Sequence, residues 1–361
     1  MTWKKVGLRL YVRPLDNSEM LLKRAADLSG VYHREHWAVN VRARIQFGEL
    51  QGDRLIDALR TAWIQTRYHH PFIATSLHEN SYMYLVPDEK ELHAWLCDSF
   101  FVHGNDETFH QFMGTAQLAE YSTFHLFPET GEILMLTHHW QIDMMGAIHL
   151  LNRFLEILAA AEPFPTFGDE WRRLSPGHAE AAPLPTELSK KSLEAAERIA
   201  KMNPFCGRPS IGLEVTPREP GSTRCSTLAF DSSTLKTIVN ACKKANISVT
   251  SAIHAALIVA TQEIAPKART KTEFTSVAFF NHRAYLRSPY NNTRAWPMGC
   301  WMLGLPFSFP LADFVTHAKA LQKIYKQDIA LDQCDVQKYY DTYVRKLAEA
   351  LEQRRKTPSI S

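Results

Sequence analysis

The stretch "ILMLTHHWQIDMMG", residues 133–146, runs from an apolar segment into two adjacent histidines and then, three residues on, an aspartate. His138, His139 and Asp143 therefore follow what reads as a buried strand. Behind them, Ala147, Leu150, Leu151, Phe154, Leu155 and Leu158 recur near a 3.6-residue period, the apolar stripe of a helix. The pair sits on a strand-to-helix connection, where backbone reaches a sheet edge and chemistry is commonly placed. Upstream, "YSTFHLFPETGEILMLTHH" reads as a hairpin with "PETG" as its turn.

Working outward, "HWAVNVRARIQF" (36–47) alternates, with Val39, Val41, Ala43, Ile45 and Phe47 on one face of a half-buried strand. "DRLIDALRTAWIQTRYHH" carries Leu55, Leu59, Ala62 and Trp63 at helical spacing behind Asp53 as a cap. "YMYLVP" (82–87) is another strand. From Pro163 to Pro220 the texture changes: nine of the chain's 19 prolines lie here, around one polar helix candidate, "TELSKKSLEAAERIAKM". Proline fixes φ and removes donors, so this segment is expected to be a crossover with few packed elements.

The second half restarts with a strand, "RCSTLAF", and a helix capped by Asp231 or Ser232. A second helix follows, capped by Thr250 and stopped by Pro266. "EFTSVAFF" (273–280) and "GCWMLGLPFSF" (299–309) are strands, and the end is helical. The expectation is an α/β (α+β) protein of two lobes of comparable design. Residues 1–162 form the lobe carrying the histidines, 163–222 the Pro-rich crossover and 223–361 the C-terminal lobe.

With 361 residues, 45% hydrophobic and 22% charged, the composition is that of a globular chain long enough for two cores. A net charge of +3 is too mild to argue for nucleic acid. "MTWKKVGLRLYVRPLDN" has no signal-peptide core, and no apolar run is long enough to cross a bilayer. The six cysteines form no C-x-x-C pair. A cytoplasmic, reduced protein without membrane or nucleic-acid partners is expected.

Several chemistries use this residue set. A metal site draws on His139 and Asp143, four apart on one helix face, but the spacing matches no zinc motif. A hydrolytic triad needs a nucleophile on a sharp turn, and G-x-S-x-G does not occur. A structural reading makes the histidines a strand end and Asp143 a helix cap. A general-base reading has a neutral histidine take a proton from an alcohol or amine, which attacks an activated thioester.

The H-H-x-x-x-D pattern between two similar lobes resembles the CoA-dependent acyltransferase superfamily. Its branches include chloramphenicol acetyltransferase, the plant BAHD enzymes, condensation domains of peptide synthetases and fungal trichothecene O-acetyltransferases. "STLAFDSSTLKTIVNACKKANISVTSAIHAALIVA", "FFNHRAYLRSP", "MGCWMLGLPFSF" and "AWIQTRYHHPFIAT" look like further segments of the fungal branch, and the similarity runs over about residues 1–325. The resemblance implies two chloramphenicol-acetyltransferase-like lobes with a tunnel between them. It makes His139 the general base, His138 a loop-shaping residue and Asp143 a structural carboxylate. Arg283 would be the ion-pair partner of Asp143, Asn281 a support for its strand, and Gly299 a point of close backbone approach. The implied activity is O-acyl transfer, most simply acetyl, from acetyl-CoA or another acyl-CoA to the hydroxyl of a small fungal secondary metabolite, with no metal. A condensation-like or cyclising enzyme and a non-catalytic shortened relative are the rivals. Two departures stand out. Met144, not glycine, follows the aspartate, and is expected to narrow the tunnel or shift the helix start. No D-F-G-W-G-like bridging segment precedes Ser361, so the second lobe is expected to be incomplete.

Overall fold

The computed structural model describes residues 2–30, 35–104, 106–185, 187–204, 210–212, 221–265, 272–326 and 336–356. Among these the strands are β1 (Lys4–Lys5), β2 (Leu10–Pro14), β3 (Val39–Arg44), β4 (Ser76–His78), β5 (Ser81–Leu85), β6 (Phe100–Val102), β7 (Thr123–Phe127), β8 (Glu132–Thr137), β9 (Glu273–Asn281) and β10 (Met302–Pro310). The helices are α1 (Asn17–Asp27), α2 (Gly52–His69), α3 (Glu89–Ser99), α4 (Phe109–Thr115), α5 (Met144–Ala160), α6 (His178–Ala181), α7 (Lys190–Met202), α8 (Ser232–Lys244), α9 (Val249–Ile264), α10 (Phe314–Tyr325) and α11 (Val336–Lys356).

The sheet that carries the histidines runs β3-β8-β7-β6. β8 is central, and Ile133 to Thr137 are all buried, which is why its sequence is a continuous apolar run and not an alternation. β7 and β8 form the expected hairpin, with Gly131 at φ 64° closing the turn. In the β3–β8 ladder Val39 lies opposite Thr137, so the residues just before β3 lie beside His138. A second sheet, β1-β2-β5-β4, completes the first lobe. In the second lobe β9 and β10 pair antiparallel from Met302 opposite Asn281 to Pro310 opposite Glu273. Ala255 and Ile258 of α9 and Ala318 and Leu321 of α10 pack there with Ala278 and Phe307 in one core.

Four expectations need correction. Asp53 lies in the first turn of α2, whose cap is Gln51 without a side-chain bond; Gly52, at φ 54°, sets the entry instead. Ser248, not Thr250, caps α9, its hydroxyl accepting from the Ser251 N–H. "RCSTLAF" is not a strand: residues 224–230 are exposed and, among the described residues, pair in no ladder. The Pro-rich segment is also more than a bare connection. Ala195, Ala196 and Ile199 give α7 a narrow buried face against Tyr339, Tyr343 and Val344 of α11, which also packs on α1. Pro266, Cys206 and Cys334 lie outside the described residues.

Candidate active site

Three consecutive residues between the histidines and the aspartate root the connecting loop in the first lobe. Trp140 accepts a hydrogen bond on its carbonyl from the Tyr82 hydroxyl at 2.7 Å. The Gln141 side chain donates to the Thr75 carbonyl at 3.1 Å and accepts from the Thr137 hydroxyl at 2.9 Å. Ile142 is fully buried and forms a parallel bridge with Gly299 of the second half. Met298 and Cys300 join the first-lobe core, so the segment before β10 inserts beside the histidine loop.

Asp143 is the junction. Its carboxylate caps α5 by accepting from the Gly146 N–H at 2.8 Å. It also accepts from the Arg283 guanidinium at 2.8 Å and from the Trp301 N–H at 2.9 Å. Asp143 and Arg283 are 3% and 2% exposed, so this pair is removed from water, where losing one partner strands the other charge. Arg283 also donates to the Pro297 and Gly299 carbonyls, at 3.3 Å each. Asn281, the last residue of β9, accepts on Oδ1 from the Arg283 N–H at 3.1 Å and turns the chain so that the guanidinium faces Asp143.

His138 is held at both ring nitrogens: Nδ1 lies 2.6 Å from a Glu35 carboxylate oxygen and Nε2 2.9 Å from the Ala119 carbonyl. Its ring stacks on Trp140 at 4.2 Å. His139 is different. It is half-buried, and its Nδ1 is enclosed. Burial pulls its pKa below the usual histidine value, opposed by its own backbone carbonyl and by the Asp143 and Glu35 carboxylates. Neutral imidazole is the form a proton acceptor needs. The Cys300 thiol donates to the His139 carbonyl, and burial pushes that thiol well above the ordinary cysteine range, which suits a donor and not a nucleophile.

The methionine after the aspartate has a structural answer. Met144 starts α5 directly behind its cap and is 48% exposed, so it neither shifts the helix nor fills the interior. The glycine required is Gly146: a Cβ there would stand 2.5 Å from the Pro297 carbonyl oxygen and 2.6 Å from Arg283 Nη2. Gly299, at φ 132°, makes its close approach to the Trp301 indole, 2.5 Å from a Cβ, while its carbonyl accepts from Arg283. Trp301 itself is fully buried.

Glu35 is the site residue that the sequence reading missed. No motif marks it; only the β3–β8 register sets it beside His138. Two cavities flank the loop, and Trp37 borders both. One, of about 930 Å³, is lined by Glu35, Asn40 and His138. The other, of about 260 Å³, is lined by Cys300 with residues of α1, β9, β10 and α11. Among the described residues no group of three His, Cys, Asp or Glu side chains is placed to share a metal ion.

Among solved structures the chain superposes on TRI3 trichothecene 15-O-acetyltransferase from Fusarium sporotrichioides with a TM-score of 0.73, over 99% of this chain and 79% of that one, at 14% identity. It also matches the first condensation domain of the CDA synthetase, TM-score 0.57, over 90% and 77% of the two chains at 13% identity. The fold is thus the two-lobed α/β architecture shared by chloramphenicol-acetyltransferase-like and condensation proteins. No family model matches the chain. In sequence it is 30% identical over 301 residues to "Acetyltransferase pigO" of Monascus ruber, covering 81% of this chain and 65% of that protein. It is 28% identical over 307 residues to "O-acetyltransferase pigM" of the same organism, covering 81% and 58%. The chain therefore spans about three-fifths to two-thirds of the length of these relatives. In sequence the chain is thus similar to fungal proteins named as acetyltransferases, and in fold to a fungal trichothecene O-acetyltransferase.

Proposed function

We propose that the chain is an acyl-CoA-dependent O-acyltransferase, which moves an acetyl or other short acyl group onto a hydroxyl of a secondary metabolite. The relatives named as acetyltransferases support this reading. The observation that carries it is the half-buried His139 imidazole, favoured in its neutral form by burial, on a loop held from both halves by the Asp143–Arg283 pair. In this scheme Nε2 takes the proton of the acceptor hydroxyl as its oxygen bonds to the thioester carbonyl carbon. The tetrahedral intermediate expels the CoA thiolate, which receives the proton back from His139. The thioester is already activated, so no enzyme-bound acyl group is required. His138, with both nitrogens engaged, shapes the loop. We place the acceptor as a small-molecule alcohol and the protein in the cytoplasm, with lobes 1–162 and 223–361 joined by the crossover. Among the described residues no single helix is long and apolar enough to cross a membrane.

The test is release of free CoA from acetyl-CoA with a panel of polyketide alcohols, against His139→Ala. Loss of about 10²–10⁴-fold in rate, with an unchanged melting temperature, is expected. The wild-type acid limb should have its midpoint below 6.5, since His139 is active when neutral and burial lowers its pKa. Equal CoA release by wild type and His139→Ala would refute the scheme.

A further inference from the structure

We propose that the cavity of about 260 Å³ beside Cys300 is a binding site for an apolar segment of one of the two substrates, a chain or ring of about ten carbons. That the occupant is a substrate rests on the transfer reading; the cavity itself does not. The size follows by proportion from cavities of ~150 Å³ that take up a six-carbon benzene ring. An acetyl group would leave most of this space empty.

The walls decide the chemical class. Leu21 and Leu22 come from α1, Val277 and Met302 from β9 and β10, and Val344 and Leu347 from α11. Ser18, Asn203, Thr275, Ser276, Tyr340 and Tyr343 bring polar groups to the lining. Most of the exposed wall is nevertheless apolar, so hydrocarbon leaves bulk water favourably to fill it. The Tyr340 side chain is 4% exposed, and its hydroxyl accepts from the Gly304 N–H at 3.2 Å. Among the described residues no acceptor takes the proton of that hydroxyl. A buried O–H with a spare donor favours an occupant carrying one carbonyl, ether or hydroxyl oxygen.

Gly304 keeps the space open. A Cβ there would stand 2.9 Å from a Phe279 ring carbon and 3.3 Å from Val277 Cγ1, both on the cavity wall. The link to the reaction centre is short in bonds: Cys300 lines the cavity and its thiol donates to the His139 carbonyl.

The experiment is calorimetric titration of the full chain with straight-chain alcohols, and separately with acyl-CoA thioesters, from two to twelve carbons. Affinity in one series should rise about fourfold per methylene and level off near ten carbons. A rise among the alcohols assigns the cavity to the acceptor, and a rise among the thioesters assigns it to the acyl group. Leu21→Trp should move the levelling point to roughly half that length, with Val344→Phe as the second filling variant should the first not fold. Tyr340→Phe should weaken the long members by about two- to tenfold. Flat affinity in both series, or a chain-length dependence untouched by a folded filling variant, overturns the proposal. The same titrations on His139→Ala separate the two readings: chain-length dependence there, with no CoA release by wild type, sinks the transfer scheme and leaves the cavity standing.

Discussion

Asp143 and Arg283 show how one buried pair fixes a loop between two elements distant in the chain. The carboxylate collects a guanidinium, a helix N-terminus and the Trp301 N–H, so one side chain sets both the start of α5 and the approach of the segment before β10. Removing Arg283 alone leaves a carboxylate buried with only backbone donors. Arg283→Met should therefore cost about 3–5 kcal/mol, and Asp143→Asn should cost a comparable amount by stranding the guanidinium. The double variant should be less destabilised than the sum, with a coupling of about 0.5–3 kcal/mol. Urea unfolding of the four proteins measures it; strict additivity would show that the pair is not coupled. The pairing partner was legible from the N-H-R segment only through resemblance. Glu35 was not legible at all, because its contact depends on strand register and not on any local pattern.

At the scale of elements, the strand–loop–helix unit around the histidines is self-consistent. β8 is apolar because it is central, and α5 carries its stripe because it covers that sheet. Periodicity and turn chemistry report such facts directly, so the hairpin, β9 and α5 could be read from residues alone. Caps were read less well: Asn246, Ser248, Thr250 and Ser251 cluster at the start of α9, and only backbone geometry selects Ser248 among them. The unit's tightest point is its first helical turn. Gly146→Ala would drive a methyl group into the Pro297 carbonyl and the Arg283 guanidinium, so the helix start and the neighbouring segment must separate. A loss of roughly 1–3 kcal/mol is expected, together with reduced transfer activity, despite alanine's better helix propensity. Met144→Gly, at the position where glycine is usual, should cost no more than ~1 kcal/mol, because that side chain faces solvent. Thermal unfolding of both variants decides the ordering; Met144→Gly as the more damaging change would contradict it.

Across the whole molecule, buried neutral histidines tie stability to pH. Burial lowers the pKa of His70 to about 3, and burial together with His103 lowers that of His125 to about 3. Both are 4% exposed, and His125 is hydrogen-bonded to His103 and Thr123. In the unfolded chain each would titrate near 6.5, so between about pH 6.5 and 3 the unfolded state binds more protons. Their contribution is intact above the unfolded value and is lost as pH falls towards 3, at ~1.4 kcal/mol per pH unit for each group. The melting temperature should fall by a few degrees between pH 7.5 and pH 5.5, before most carboxylates titrate. An unchanged midpoint over that range would mean that these rings are not held neutral.

The sequence by itself determined the local grammar: which runs pair as strands, where helices lie, and that two histidines and an aspartate share one strand-to-helix loop. Those features depend on residue spacing and turn chemistry, which act between near neighbours in the chain. Tertiary structure alone decided what the loop meets. It set Arg283 against Asp143 across 140 positions, Glu35 against His138 across 103, and Cys300 under the His139 carbonyl across 161. It also joined the last helix to α1 and α7 to close an apolar cavity beside the site. Contacts of that range come from the packing of whole elements, whose relative placement leaves no periodic trace in the chain.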